Sequence, residues 1–427
     1  MRPTDVQFVV GSSGYFVKDL AAVRHSPSYN PLSSTTSIQP LTTGFQTIVQ
    51  PGQIISIILH LPNNALAIGD CVDVIFSGAA SRDPLFIPAE HLPTLHTTVK
   101  TWLLQCDLTS FRSNAHRLNS SWQELHGSSC NGAGGKLHSA IRYGVSQALL
   151  AATASIYGCT IAEVVAREWG TQIASGPVDI LTSCHRNDTL QLDRMIMKRA
   201  DLLPHASFVH VSDIGQHGEN LLEYIAFVAG RIRERGTEGY HPRLHFDVYG
   251  TVGDIYPHPE QLAEFLEKVR RAAEPYEVLI ESPIIATTKE EQIEKLSELR
   301  RVMARRGVVG VKTVADEWCN TMRDIEEFAN ARAVDYIQIK MPDLGGVDQS
   351  VNAVLYCKRM GIGCCLGGSA NETDVSARIT AQVALAVEPD FLLSKPGIGA
   401  DEGLMILKNE MLRGVALVGR GKVRSRI

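Results

Sequence analysis

Apolar and polar positions along the chain follow two rhythms. Up to about residue 165, strand-like runs come first. Residues 54–61 and 71–76 are short and β-rich, and Pro-Asn-Asn and Gly-Asp between them act as turn signals. Residues 91–125 and 137–168 then place apolar side chains at helical spacing. Strands followed by helices predict an α+β domain. The Ser/Thr-rich stretch 27–40, with Tyr29 and Asn30, reads as a surface loop.

The second rhythm starts near residue 170. Short apolar runs end in polar residues, and charged amphipathic stretches follow them. The runs are 178–181, 207–211, 243–246, 276–280, 307–311, 334–339, 361–366 and 390–393. Residues 259–272, 289–305 and 321–331 have helical charge and spacing. Eight strands alternating with helices predict an α/β fold, a (β/α)8 barrel, which typically takes about 250 residues. The expected division is therefore 1–168 for the first domain and 169–427 for the barrel.

Composition narrows the function classes. With 427 residues, 44% apolar and 20% charged, the chain can bury a large core. Its net charge of −5 excludes the basic footprint of a nucleic-acid binder. Arg300, Arg301, Arg305 and Arg306 read as a solvated helix face. Nine cysteines without metal-type spacing suggest free thiols in a reducing compartment, hence a cytoplasmic protein. Cys364 and Cys365 are neighbours in an expected strand, so their side chains should face opposite sides. The first residues lack the apolar core of a secretion signal. No apolar stretch reaches the ~20 residues of a bilayer span, and 148–166 reads as an ordinary helix, so no membrane is expected.

Barrel chemistry sits at the C-terminal ends of strands. Asp247, Glu281 and Asp316 fall at or just beyond three successive strand ends, 34 and 35 residues apart. Each alone is an ordinary cap or surface acid. Together they form an oxygen-rich set suited to a hard dication such as Mg2+. Gln338 and Lys340, two apart on the next strand, share a face toward the barrel mouth. Lys340 is then either a structural ion-pair partner or a general base with its pKa lowered by a cation and by burial. His205 precedes the second strand; alone it is more often structural, and it gains meaning as a counterpart to Lys340 across a substrate. The turn Gly367-Gly368-Ser369-Ala370 could hold an anion on its backbone amides.

Several segments resemble the methylaspartate ammonia-lyase family of the enolase superfamily along nearly the whole chain. They include Ser77-Gly78 with Arg82-Asp83-Pro84-Leu85-Phe86, Asp201 to His205, and His245 to Gly250. Ala315-Asp316-Glu317-Trp318-Cys319-Asn320-Thr321, Gln338-Ile339-Lys340, Asn371-Glu372-Thr373 and Lys395 to Gly399 continue the series. The resemblance implies an α+β cap before a modified barrel, commonly assembled as a homodimer. It implies Asp247, Glu281 and Asp316 as Mg2+ ligands, with a monovalent cation left open beside them. Lys340 would remove a proton from one face of the substrate, His205 would be the acid/base on the other, and Gln338 would bind a carboxylate. Ser369 and Ala370 stand where the family's turn carries substrate-binding residues. The implied reaction is loss of ammonia from 3-methylaspartate or a related amino diacid, a small-molecule substrate, giving a mesaconate-like alkene. A Lys or His base working with Mg2+ is the general pattern of the superfamily.

Three positions depart from the family pattern. Ile75 replaces a Gln, Ser183-Cys184 replaces Gln-Ser, and Ser369-Ala370 replaces Thr-Cys. A lost hydrogen bond to a charged group is worth about 1.5–3 kcal/mol, so the departures bear on substrate choice rather than on the metal and the base. The alternative reading keeps the same proton abstraction but ends in dehydration or epimerisation. A silent binding or scaffold relative is the third reading, and the intact Asp247, Glu281, Asp316 and Lys340 count against it.

Overall fold

The computed structural model describes residues 1–25, 39–125 and 137–419. Most of the 27–40 loop lies outside the described residues. The first domain opens with an antiparallel sheet in the order β1 (Asp5–Lys18), β2 (Val49–His60), β3 (Leu66–Cys71). Along β2, Ile55, Ile57 and Leu59 are fully buried, the period-two signature of a sheet with one face covered. The cover is the helix Ser139–Tyr157. Gly69 on β3 meets Gly144 on that helix so closely that a Cβ on either would strike backbone.

The expected strand 71–76 is displaced. Pairing ends at Cys71, because Asp73 organises a turn instead: its carboxylate accepts from Val74 N–H at 2.8 Å, Ser77 Oγ at 2.7 Å and Phe86 N–H at 3.0 Å. Strand β1 escaped the pattern because Val9, Val10 and Phe16 are exposed and blur the alternation. The expected helix 91–125 is broken into Pro88–Thr94, a π turn Leu95–Val99, Lys100–Leu104 and Phe111–Leu125. Region 137–168 also divides, at Gly158, whose φ of 58° ends one helix before the capping box of Thr160 and Glu163 opens Ile161–Trp169. Among the described residues no single helix is long and apolar enough to cross a membrane.

The second domain is a closed barrel of eight parallel strands. They are β4 (Ile180–Leu181), β5 (Leu202–Ser207), β6 (Arg243–Asp247), β7 (Val278–Glu281), β8 (Val311–Ala315), β9 (Tyr336–Ile339), β10 (Gly363–Leu366) and β11 (Phe391–Leu393). Two differ from expectation. The second strand ends at Ser207 rather than starting there, and Phe208 follows it as a buried loop anchor. The fifth starts at Val311, because Gly307 and Gly310 take φ of 70° and 80° and hold the segment before it in a turn.

Leu181, Leu202, Leu279, Val314, Cys365, Phe391 and Leu393 fill the barrel interior. Cys364 belongs to the shell between strands and helices, so the two adjacent thiols do face opposite sides. The helices Pro259–Ala273, Lys289–Arg306 and Met322–Asn330 lie within two residues of the expected bounds. The Arg300 cluster is indeed a solvated face: Arg300 reaches Asp335 at 3.1 Å and Arg306 reaches Glu267 at 2.9 Å. The cap leans on the barrel mouth. Gly14 N–H donates to the Asn371 carbonyl at 3.0 Å, and Arg82 Nε donates to Asp343 at 2.9 Å.

Candidate active site

Asp247 and Glu281 are the last residues of β6 and β7 and pair directly in the ladder. Paired residues of parallel strands point the same way, so both carboxylates enter the mouth. Asp316 follows β8 by one residue, and all three acids are buried. Glu317 joins them, buried, with Ser282 Oγ donating to its Oε2 at 2.5 Å. Sequence reasoning passed over Glu317, although it stands beside Asp316.

Like charges in this space keep apart by choosing different partners. Glu281 leans to Gln338 Nε2 at 3.3 Å, His245 Nε2 at 3.2 Å and His205 Nε2 at 3.4 Å. Asp316 turns to Lys340 Nζ at 2.6 Å and Arg82 Nη2 at 3.7 Å. Arg82 comes from the cap, is buried, and also donates from Nε to Asp343 at 2.9 Å. Burial, then Glu281, pushes Asp247 well above the ordinary carboxylate range; burial, then Asp316, does the same to Glu281. Burial works against the Asp316 charge too, yet Lys340 and Arg82 outweigh it and hold this acid low.

Lys340 follows β9 directly. The expectation of a lowered pKa is reversed here: burial, the largest single effect, lowers it, but Asp316 together with Asp343 and Glu317 outweighs burial and the ammonium is held above its usual value. His205 sits near the end of β5, at a bulge between Pro204 and Ala206 with φ of 44°. It was expected before its strand; the earlier start of β5 carries it up to the mouth. Burial holds its imidazole below the usual value against the pull of Asp247. Strands β5 and β9 are four steps apart in a ring of eight, so His205 and Lys340 face each other across the acids.

These groups line one cavity of about 280 Å3. Asp247, Glu281, Asp316, Lys340, His205, Gln338, Ser369 and Ala370 all reach it, as do Ile75, Ser183 and Cys184. The anion-holding turn is a partial correction. The Ser369 amide already donates to Glu372 Oε2 at 2.9 Å and the Gly367 amide to the Ile339 carbonyl at 2.9 Å, so neither is available to an anion. Behind this turn Lys395 and Glu372 form a wholly buried ion pair at 2.6 Å. Tyr143, from the cap helix, donates to the other Glu372 oxygen at 2.8 Å.

The site suits a hard dication. Glu281 Oε2, Asp316 Oδ1 and Glu317 Oε1 are buried oxygens that accept no well-aligned hydrogen bond, despite the imidazoles near the first and the guanidinium near the second, a costly state that a cation relieves. A tighter group exists: His205, His245 and Glu281 offer ligand atoms within 4.8 Å of one another. His245 does not line the cavity, so an ion bound there would lie below the floor, away from a substrate. The acid face, which opens to the cavity, is the better fit.

A capped parallel barrel with acids on three successive strand ends, under a lysine and a histidine on opposing walls, defines an enolase-type enzyme. Comparison with known proteins narrows the class. Models of the methylaspartate ammonia-lyase N-terminus and C-terminus match residues 1–170 and 172–420. Methylaspartate ammonia-lyase 1 of Carboxydothermus hydrogenoformans is 42% identical over 424 residues, covering 99% of this chain and 98% of that protein. The β-methylaspartase of Clostridium tetanomorphum, solved as a Mg-complex, superposes with a TM-score of 0.88 at 36% identity, covering 98% of this chain and 100% of that one. The Citrobacter amalonaticus methylaspartate ammonia lyase containing (2S,3S)-3-methylaspartic acid gives 0.90 at 38% identity, covering 98% and 100%. The chain belongs to the methylaspartate ammonia-lyase family.

Proposed function

We propose that this protein eliminates ammonia from 3-methylaspartate or a closely related amino diacid, with Asp247, Glu281 and Asp316 holding Mg2+. The observation that carries the reading is the placement of Lys340 and His205 on opposite walls, with the acid trio between them. Relatives solved with Mg and with 3-methylaspartic acid support the ion and the substrate class.

A proton α to a carboxylate is weakly acidic, and its removal places two negative charges on one carboxylate group. When bound, a dication supplies Lewis-acid stabilisation of that charge and competes with the Lys340 ammonium for Asp316, bringing the lysine toward the neutral form. Neutral Lys340 takes the C–H proton on its Nζ. Gln338 offers Nε2–H to the substrate carboxylate, which fixes the bond to be broken beside the lysine. The C–H electron pair forms the alkene as the C–N bond breaks, and the amino group leaves as ammonia. His205, kept neutral by burial, exchanges the proton on the opposite face for the other configuration. The buried Arg82 holds Asp316 and Asp343 in place and closes the cap over the site.

The test is a Mg2+-dependent screen of amino diacids and hydroxy diacids, read by alkene absorbance and ammonia release. Ammonia from an amino diacid supports elimination; water release or racemisation alone would move the protein to the dehydratase or epimerase reading. We further propose a cytoplasmic homodimer. The eight described cysteines are free, as a reducing compartment requires. Light scattering on the purified protein tests the dimer.

A further inference from the structure

The cavity contains a cation that the acid floor does not use. Most of its basic lining groups are already paired. Lys340 is bonded to Asp316 at 2.6 Å, Arg82 is bonded through Nε to Asp343 at 2.9 Å with its Nη2 3.7 Å from Asp316, and His205 lies 3.4 Å from Glu281. Lys18 differs. It is the last residue of β1, and its backbone bond to the Ile75 carbonyl seats it at the cavity rim. Its Nζ stands 5.0 Å from the centre of the Tyr15 ring, and among the described residues it forms no ion pair.

His185 lines the same cavity. Its Nδ1 accepts the Asn187 N–H at 3.2 Å, so the neutral ring carries its proton on Nε2, ready to donate. Burial, then the neighbouring Arg186, holds this ring below its usual pKa, which keeps it neutral at pH 7. Arg186 itself is spent on Asp213 at 2.7 Å.

A diacid brings two carboxylates into this cavity. One belongs at the acid face, where a dication and Gln338 serve it. The other meets a wall that includes the apolar Ile75, Val209 and Leu393 and the neutral hydroxyls of Ser183, Ser207 and Tyr249, with the half-buried Lys18 as the cation that no acid engages among the described residues. An unpaired carboxylate there is costly, and a cation without a prior partner is the group that removes the cost. We propose that Lys18, assisted by the Nε2–H of His185, holds the second carboxylate of the substrate and sets the preference for dianions over monoanions. The proposal rests on the elimination reading for its substrate class.

The test is titration calorimetry on the full chain with Mg2+, using mesaconate and 2-methylbut-2-enoate, in which a methyl replaces one carboxylate. Lys18→Ala and Lys18→Gln should weaken mesaconate by about tenfold or more, the scale of a charge-assisted hydrogen bond. Binding of the monoacid should stay unchanged, and Lys18→Arg should restore most of the mesaconate affinity. Lys18→Gln keeps most of the aliphatic stem, so it separates lost charge from lost packing. Wild-type mesaconate affinity in Lys18→Gln, equal loss of both ligands, or no mesaconate binding by the wild type would each overturn the subsite. Ammonia release is measured in parallel. Lys18-dependent mesaconate binding without any ammonia release would sink the elimination and keep the subsite. Ammonia release with an unchanged KM in Lys18→Gln would do the reverse.

Discussion

Replacing Lys395 by Met probes how the cap and barrel together hold the turn beneath the substrate. Lys395 and Glu372 are both 0% exposed and meet at 2.6 Å. The lysine Nζ also donates to the Gly367 carbonyl at 2.9 Å. Methionine keeps much of the stem volume but removes the cation, leaving a buried carboxylate with two neutral donors, Tyr143 Oη–H and Ser369 N–H. Breaking a buried pair from one side costs about 3–5 kcal/mol, and the two surviving donors place this case near 3. An unfolding entropy of about 2.1 cal/mol/K per residue gives about 0.9 kcal/mol/K for a chain of this length, so Tm should fall by about 3–4 °C. Scanning calorimetry reads the shift, with the double variant Lys395→Met/Glu372→Gln beside it. The double variant removes both charges and should recover at least half of the loss, since the penalty comes from an uncompensated charge rather than from a missing attraction. A single variant that melts within about 1 °C of wild type, against the 3–4 °C derived above, would refute this account. So would a double variant no more stable than the single.

Other outcomes follow from the same geometry. Lys340→Ala should lower turnover of the substrate whose proton faces the lysine by about 10²–10⁴-fold, read by alkene absorbance; near-normal rates would remove Lys340 from its role. Asp247→Asn should weaken Mg2+ by about tenfold or more in calorimetry, and an unchanged affinity would contradict the ligand set. Asp247 and Glu281 have folded pKa values above their unfolded ones, so between those two limits the native state binds more protons. In chelator, stability should therefore fall as pH rises through that window, and Mg2+ should stabilise the protein most at its upper end. Asp316 has the opposite sign: its folded pKa is depressed, so its contribution is present above the unfolded value and lost as acid titrates it. Thermal melts across pH, with and without Mg2+, read both; a chelated protein that gains stability on alkalinisation would contradict the carboxylate assignment.

Much of this molecule was legible in one dimension. Short apolar runs and helical spacing in the second half yielded the strand number and three of the helices within two residues, because each βα unit is local and repeats its own pattern. The acids were found because barrel chemistry gathers at strand ends, and 34- and 35-residue spacing is one βα unit. Local pattern failed where turn conformation decides. Gly307 and Gly310 displaced β8, and Asp73 turned the chain at Cys71, since side-chain bonds and left-handed backbone are not encoded by apolar periodicity. The fold itself decided what no spacing contains. It set His205 diametrically opposite Lys340, brought Arg82 across from the cap onto Asp316, buried Lys395 against Glu372, and left Lys18 at the rim without a counter-ion among the described residues. Residue types determined which groups could ionise, bind a cation or move a proton. Only closure of the barrel under its cap fixed which charges neutralise one another and which remain for a ligand, because Coulomb energies and desolvation depend on distance in space rather than along the chain.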